Sequence, residues 1–464
     1  MPPTTRSRAA HSTALIPPGQ GDASFNDATF LTNDTTWAKR KRVPNEPQSI
    51  PKFAVDLSLS PEQRYTEVCA AFKDEMLGLR ELFDDVVGSM LPFIPSTLLK
   101  WICWLLLRGV YDAEETAELK GISVVTGIEV YLLVCFNVIL DLLMGCTSGG
   151  ALIHDETAQD HSATRMVHFR TLDWGMPSLR HVIVQLDYKD HADGDIIASS
   201  ITYAGFVGVL TGVRKDLSMS LNFRGVRNNP HSLLANLTYC WHMLMVLLGF
   251  RRSITSILRG FLLSPRRALI AGATDATNHI SGRSDYEETV AALSGQSRSV
   301  RTSPCYLCVS DGQETTVIER DIGTAITRAG KDLIIVTNAD SEGADSGTHA
   351  ASRQTNKSIS QALTELLDDA KDRTQCAEHN YRKLLQQRER QSWQELASGA
   401  SSAAFVKLPS VDDIVHLVQM YPTTNECTHF AAVLDPVEGE VAWARSWRRP
   451  VGAKWIRAHM TDGR

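Results

Sequence analysis

The hydrophobic patterning of this chain changes period at Gly145-Cys146, and that switch limits the available folds more than any other feature. Before it, apolar residues recur at helical spacing. After it, most segments alternate with the period of two that suits strands. Upstream, Ser60 caps a helix opened by Pro61-Glu62-Gln63, and another starts at Asp112 and is expected to stop at Gly121. Residues 98–108 form a short, tryptophan-rich run with basic ends, and residues 128–143 form an apolar helix. Downstream, residues 166–170, 181–188, 196–206 and 218–223 read as strands, and 233–250 and 253–263 as helices. Strand patterning returns over 304–310, 315–320 and 331–338. Residues 411–420 form a last helix, and 428–434 pairs with 440–444 through the turn at Asp435–Gly439. Strands and helices come in blocks, which predicts an α+β fold of packed layers.

The same reading divides the chain. Residues 1–48, rich in Pro, Ser, Thr, Asn and Asp, read as a disordered tail. Residues 49–145 form a helical N-terminal unit, 146–446 the main domain and 447–464 a C-terminal tail. A polar insert at 343–357 and a charged helix at 358–396 interrupt the main domain.

Bulk properties exclude more than they assign. A net charge of -6 gives no footprint for nucleic acid, so no nucleic-acid partner is expected. Nine irregularly spaced cysteines, an odd count, do not make a disulfide scaffold and suit a reducing compartment. Residues 1–20 lack the apolar stretch of a secretory leader. The expectation is therefore an intracellular protein peripheral to membranes, with lysosome or vacuole as the alternative.

Most chemical motifs are absent from the sequence. It has no His-Glu-x-x-His, P-loop or Gly-x-Ser-x-Gly pattern, so neither a metal nor an organic cofactor is implied. Cys305 and Cys308 are three apart in a strand pattern, which turns their thiols to opposite faces. Cys146 is different in kind. Its thiol could attack the preceding Gly145 carbonyl, and hydrolysis would free a cysteine with its own α-amine. That amine, with an unperturbed pKa of roughly 7.7–8.0, can serve as base without a helper histidine. Read alone, Cys146 is better taken as a packed apolar residue, Arg170 and Asp173 as a structural ion pair, and Asn338 as a turn residue.

The neighbouring motifs decide between these readings. Residues 118–129 with Phe136-Asn137, then Cys146-Thr-Ser148, His168-Phe-Arg170-Thr-Leu-Asp173-Trp-Gly175, Ala204–Gly212, Ser220-Leu-Asn222, Val317–Asp321 and Val336–Asp340 occur in order. Together they resemble the family of acid ceramidase and N-acylethanolamine acid amidase, a branch of the N-terminal-nucleophile hydrolases, with acid ceramidase the nearer pattern. The resemblance implies an αββα sandwich with a helical N-terminal pro-segment. It implies scission between Gly145 and Cys146, with the two subunits staying associated. It also implies a hydrolase of linear amide bonds that cleaves N-acylsphingosine to a fatty acid and a sphingoid base. N-acylethanolamines or other fatty amides are the alternative substrates, and an unprocessed lipid-binding relative is the alternative from another class.

Site roles are carried over in the same way. Cys146 would be nucleophile and base, Asp173 would orient its amine, and Arg170 would stabilise the thiolate or substrate carbonyl. Asn338 would donate to the oxyanion, and Arg382 would supply a second arginine. Phe223 stands where the family carries an acidic residue. Since Arg170 and Asp173 are three apart, they can share a site only if the strand ends or bulges near Leu172. The substrate implies a lipid-amide partner and a membrane surface, for which 98–108 and 233–250 offer apolar faces that also suit core helices. An activator protein is a further partner the resemblance allows.

Overall fold

Two sheets form mostly from strands behind the switch point, and the segment before it, expected to be helical, also adds an edge strand to the larger of them. The computed structural model describes residues 47–80, 83, 95–139, 145–155, 163–225, 228, 232–263, 282–295, 301–340, 357–397 and 408–450. The expected tail up to residue 46, the end of the apolar helix at 140–143, the insert up to 356 and residues 451–464 lie outside the described residues.

The N-terminal segment contributes β1 (Lys52–Asp56) and helices α1 (Thr66–Ala71), α2 (Lys73–Met76), α3 (Ser96–Leu106), α4 (Ala113–Thr126) and α5 (Val130–Ile139). Asp112 caps α4 by accepting from the Glu114 and Glu115 amides, and Gly127 ends it in the left-handed region at φ 74°. Contrary to expectation, α4 runs straight through Gly121. A Cβ there would lie 1.9 Å from the Glu62 carbonyl oxygen, so this glycine permits close packing and does not end the helix.

The eight-stranded sheet runs β1, β4 (Ile183–Lys189), β5 (Ile196–Tyr203), β6 (Thr211–Arg214), β7 (Leu217–Phe223), β8 (Cys305–Ser310), β9 (Thr315–Arg320) and β10 (Ala325–Gly330). Only the β1–β4 edge pair is parallel. The five-stranded sheet runs β11 (Leu333–Val336), β2 (Gly145–His154), β3 (Thr164–Asp173), β12 (Thr428–Asp435) and β13 (Glu440–Ser446). Strand β2 escapes a propensity reading because it opens Gly-Cys-Thr-Ser-Gly-Gly. At Gly149 a Cβ would meet the Ile334 carbonyl oxygen at 2.3 Å, so the glycine lets β11 and β2 approach.

The sheets stack face to face, with β2 and β3 against β7 and β8. Helices α7 (Ile254–Leu263) and α8 (Gly282–Ser294) cover the outside of the larger sheet; α6 (Leu233–Leu247) packs on α5. Helices α9 (Lys357–Ala397) and α10 (Val411–Gln419) cover the smaller sheet. This is the αββα sandwich, and its strand alternation is functional. On β2, Ser148 faces the other sheet and bonds Asn222, whereas Thr147 faces α9 and bonds Arg373. Trp447, expected to open a C-terminal tail, is instead fully buried, and its amide donates to the His429 carbonyl. Cys305 and Cys308 lie in different apolar clusters, in keeping with opposite faces of β8.

A buried ion pair ties the N-terminal segment to the main domain. Both terminal guanidinium nitrogens of Arg259 on α7 donate to the carboxylate of Glu118 on α4, which Arg64 also approaches at 3.1 Å. Beside it, burial pushes the Glu115 carboxyl up to about 7, against the pull of Arg259 and Ser256. A carboxyl raised in this way holds its proton more tightly folded than unfolded. The stability it contributes is complete below its ordinary value of 4.5 and is lost as pH rises through about 7. In an uncut Cys146→Ala chain, the urea midpoint should fall from about pH 5 to about pH 8 more steeply than in the same chain carrying Glu115→Gln. Parallel curves would assign the titration to another group.

Candidate active site at Cys146

The sheet ends, rather than any loop, build this site. Gly145 and Cys146 open β2, Leu172 and Asp173 close β3, and the two ends pair directly, Gly145 with Asp173 and Cys146 with Leu172. On the other flank, β12 slips register between Thr428 and Phe430 as it passes them. Alternation along β3 therefore holds as far as Asp173, and Arg170 and Asp173 stay on opposite faces; they serve one site because it wraps around the strand end.

The two faces divide the work. On the inter-sheet face, Arg170 Nη2 lies 3.3 Å from Cys146 Sγ, and its Nη1 donates to the Leu210 carbonyl at 2.8 Å. The thiol itself points at the Leu221 carbonyl, 3.9 Å away. On the helix face, Asp173 takes Arg373 at 3.0 Å on one oxygen and the Thr428 hydroxyl at 2.6 Å on the other. Asn338 spans the junction: its Oδ1 accepts the Cys146 amide at 2.7 Å and Arg373 Nη2 at 3.2 Å, while its Nδ2 donates to the Phe223 carbonyl at 2.7 Å. The carboxamide oxygen of Asn338, not the nitrogen expected to face an oxyanion, therefore meets the Cys146 backbone nitrogen.

Four of the five expected residues converge here; Arg382 does not. Its side chain is 71% exposed and, among the described residues, pairs with Glu378 on its own helix. The buried arginine of α9 is Arg373, which also reaches Thr147 at 3.0 Å. Arg382 lies roughly two and a half turns further on, and so on the opposite face of the helix. A sequence signal for Arg373 existed. Ala370, Arg373, Ala377 and Tyr381 form the buried stripe of α9 at spacings of three and four, and one position of that stripe is charged. Thr428 and Thr147 carry no comparable signal, because their contacts depend on strand pairing across the sheet.

Cys146, Arg170 and Asn338 are wholly buried, Arg373 and Asp173 nearly so. Burial raises the thiol above its ordinary range, with the charge of Arg170 opposing. Burial likewise pushes Asp173 up to about 6, with Arg373 and Thr428 pulling it down. The polar seam continues between the sheets. His168 bonds Ser218 and Ser220, and burial pushes it down to about 3, which keeps the ring neutral. Among the described residues, no group of three or more His, Cys, Asp or Glu is placed to hold a metal ion.

Residues 48–111 match the model of the beta subunit of N-acylethanolamine-hydrolyzing acid amidase. The acid ceramidases of Homo sapiens and Mus musculus are each 27% identical to the chain, over 194 and 193 residues. Over these segments the chain is similar to the acid ceramidase and N-acylethanolamine acid amidase family. Its match covers 38% of the chain and 46% of those ceramidases, so the chain spans about half the length of these family members. An uncharacterized protein of Acanthamoeba polyphaga mimivirus is 26% identical over 295 residues, 62% of this chain and 78% of that protein. The solved Caenorhabditis elegans N-acylethanolamine-hydrolyzing acid amidase ortholog aligns with 67% of this chain and 97% of its own, at 21% identity and a TM-score of 0.38.

Proposed function

We propose that this chain is the precursor of a cysteine amidohydrolase of lipid amides, activated by its own scission between Gly145 and Cys146. The observation that carries the reading is the grip on the Cys146 backbone nitrogen. Asn338 Oδ1 holds it at 2.7 Å while Arg170 stands 3.3 Å from the thiol of the same residue. In scission, Cys146 Sγ adds to the Gly145 carbonyl, and its proton ends on the departing nitrogen. The amide becomes a thioester with a free amine, and water then releases the Gly145 carboxylate. The amine so formed already lies against Asn338, with the Asp173 carboxylate across the paired Gly145 position.

Turnover repeats this chemistry on a substrate. The α-amine takes the thiol proton, and sulfur adds to the lipid amide carbonyl. The intermediate collapses by passing the proton to the leaving amine, and water cleaves the acyl thioester. Arg170 faces the thiolate. Asn338 keeps its oxygen on the amine, and it can donate to the oxyanion only after its carboxamide turns over; such a donor is worth roughly 3 kcal/mol. Arg373 holds both Asp173 and Asn338 in place.

N-acylsphingosine is the preferred substrate in this reading, supported by the match to acid ceramidases; the family model matched by 48–111 supports N-acylethanolamines as the second. Two exposed apolar faces offer a route from a bilayer. Trp101 and Trp104 project from α3, Leu234, Leu237 and Trp241 from α6, and the two helices end together where Gly249 abuts Gly109. Among the described residues no helix is long and apolar enough to cross a membrane. The test is turnover of N-acylsphingosine and N-acylethanolamine of equal acyl length in mixed micelles, using chain first shown by mass to be cut. Faster release of fatty acid from the sphingosine amide is expected. Preference for the ethanolamide would move the assignment, and inertness of fully cut protein toward both would remove it.

A further inference from the structure

Asn137 lies on α5, upstream of the proposed cut, yet its side chain serves residues downstream of it. Its Nδ2 donates to the Gly205 carbonyl at 3.0 Å and to the Leu133 carbonyl of its own helix at 2.9 Å. Its Oδ1 accepts the Val207 amide at 2.8 Å. The loop it grips, residues 204–210 between β5 and β6, is buried along its whole length, so its backbone has no water to turn to. The preceding Phe136 packs edge-on against Phe206 in the same loop, with ring centroids 6.0 Å apart. The loop ends at Leu210, whose carbonyl receives both the Leu221 amide at 3.0 Å and Arg170 Nη1 at 2.8 Å. The other terminal nitrogen of that guanidinium is the group beside Cys146 Sγ. A guanidinium is a rigid planar fork, so the place of the Leu210 oxygen fixes where the second prong points.

We propose that Asn137 is a positioning residue that, through the 204–210 loop and Leu210, sets Arg170 against the Cys146 thiol, and that the N-terminal segment keeps this role after the chain is cut. The segment is then a permanent part of the active site. The inference rests on the reading of Cys146 as a self-released nucleophile. Its physical content is the thiolate: a fixed positive charge beside sulfur favours the ionised form, and a fork turned away no longer does.

Two substitutions in the full chain separate the effects. Asn137→Asp keeps the size and the acceptor for Val207 but sets a carboxylate oxygen against the Gly205 carbonyl; Asn137→Leu removes both bonds to the loop. Three quantities are followed: self-cleavage by intact mass, then, on cut protein, kcat and KM for a fatty amide, and the pH profile of Cys146 alkylation by iodoacetamide. Self-cleavage and kcat should fall on the order of ten- to a hundredfold with KM nearly unchanged. The alkylation midpoint should move to higher pH, which loss of folded protein alone would not produce. Phe136→Leu, which loosens the same loop by packing alone, should move that midpoint in the same direction and gives the reading if neither Asn137 variant folds. An unchanged midpoint and kcat in the variants that fold would overturn the proposal while leaving self-release intact. A wild-type chain that never cuts would overturn both.

Discussion

Replacing Cys146 by alanine should leave one chain of full mass that never divides and never turns over a lipid amide. The substitution deletes only the sulfur. The side chain is wholly buried, and its loss leaves the Asn338 bond to the backbone nitrogen in place, so the chain should still fold. Removing a nucleophile of this kind costs on the order of a millionfold in kcat, because the acyl intermediate cannot form. Cys427, whose amide and carbonyl lie in the strand-end turn beside Trp174, is the control. Cys427→Ala should cut and turn over nearly as the wild type does. Normal division of the Cys146→Ala chain, seen by mass, would mean that a different residue attacks.

The second large effect separates two arginines of one helix. Arg373→Met should abolish both scission and turnover and lower stability by about 3–5 kcal/mol, the usual result of leaving one member of a buried ion pair alone. Three groups each lose a hydrogen bond at once: Asp173, Asn338 and Thr147. Arg382→Ala, on the exposed face, should change stability by less than about 0.5 kcal/mol and leave activity untouched. Denaturant midpoints and initial rates on the two variants decide it. An inert Arg382→Ala beside an active Arg373→Met would reverse the assignment.

What the sequence discloses here follows from what each signal depends on. The layered α+β class follows from hydrophobic period, which is local, so the change at Gly145-Cys146 is readable. Local rules mislead where tertiary packing overrides them. Gly121 looks like a helix stop and instead makes room for Glu62, and Gly149 looks like a strand breaker and instead admits Ile334. The edge strands β1 and β10 and the short β6 carry little pattern of their own, and their partners define them. Cys146, Arg170, Asp173 and Asn338 stand out only through the family resemblance, because each sits in one of the short motifs that carry it. Arg373 does not, because it belongs to a long charged helix behind an insert that erases register. Only its place on the Ala370–Ala377–Tyr381 stripe marks it. Thr428 reaches Asp173 across a bulge that no sequence pattern announces.

One measurement bears on all of this most directly: the intact mass and N-terminal residue of the purified wild-type chain after incubation at mildly acidic pH. Two fragments that stay together are expected, with masses that sum to the whole chain plus one water. The larger fragment should begin with Cys146 bearing a free α-amine. An active preparation in which Gly145 is still joined to Cys146 would contradict it.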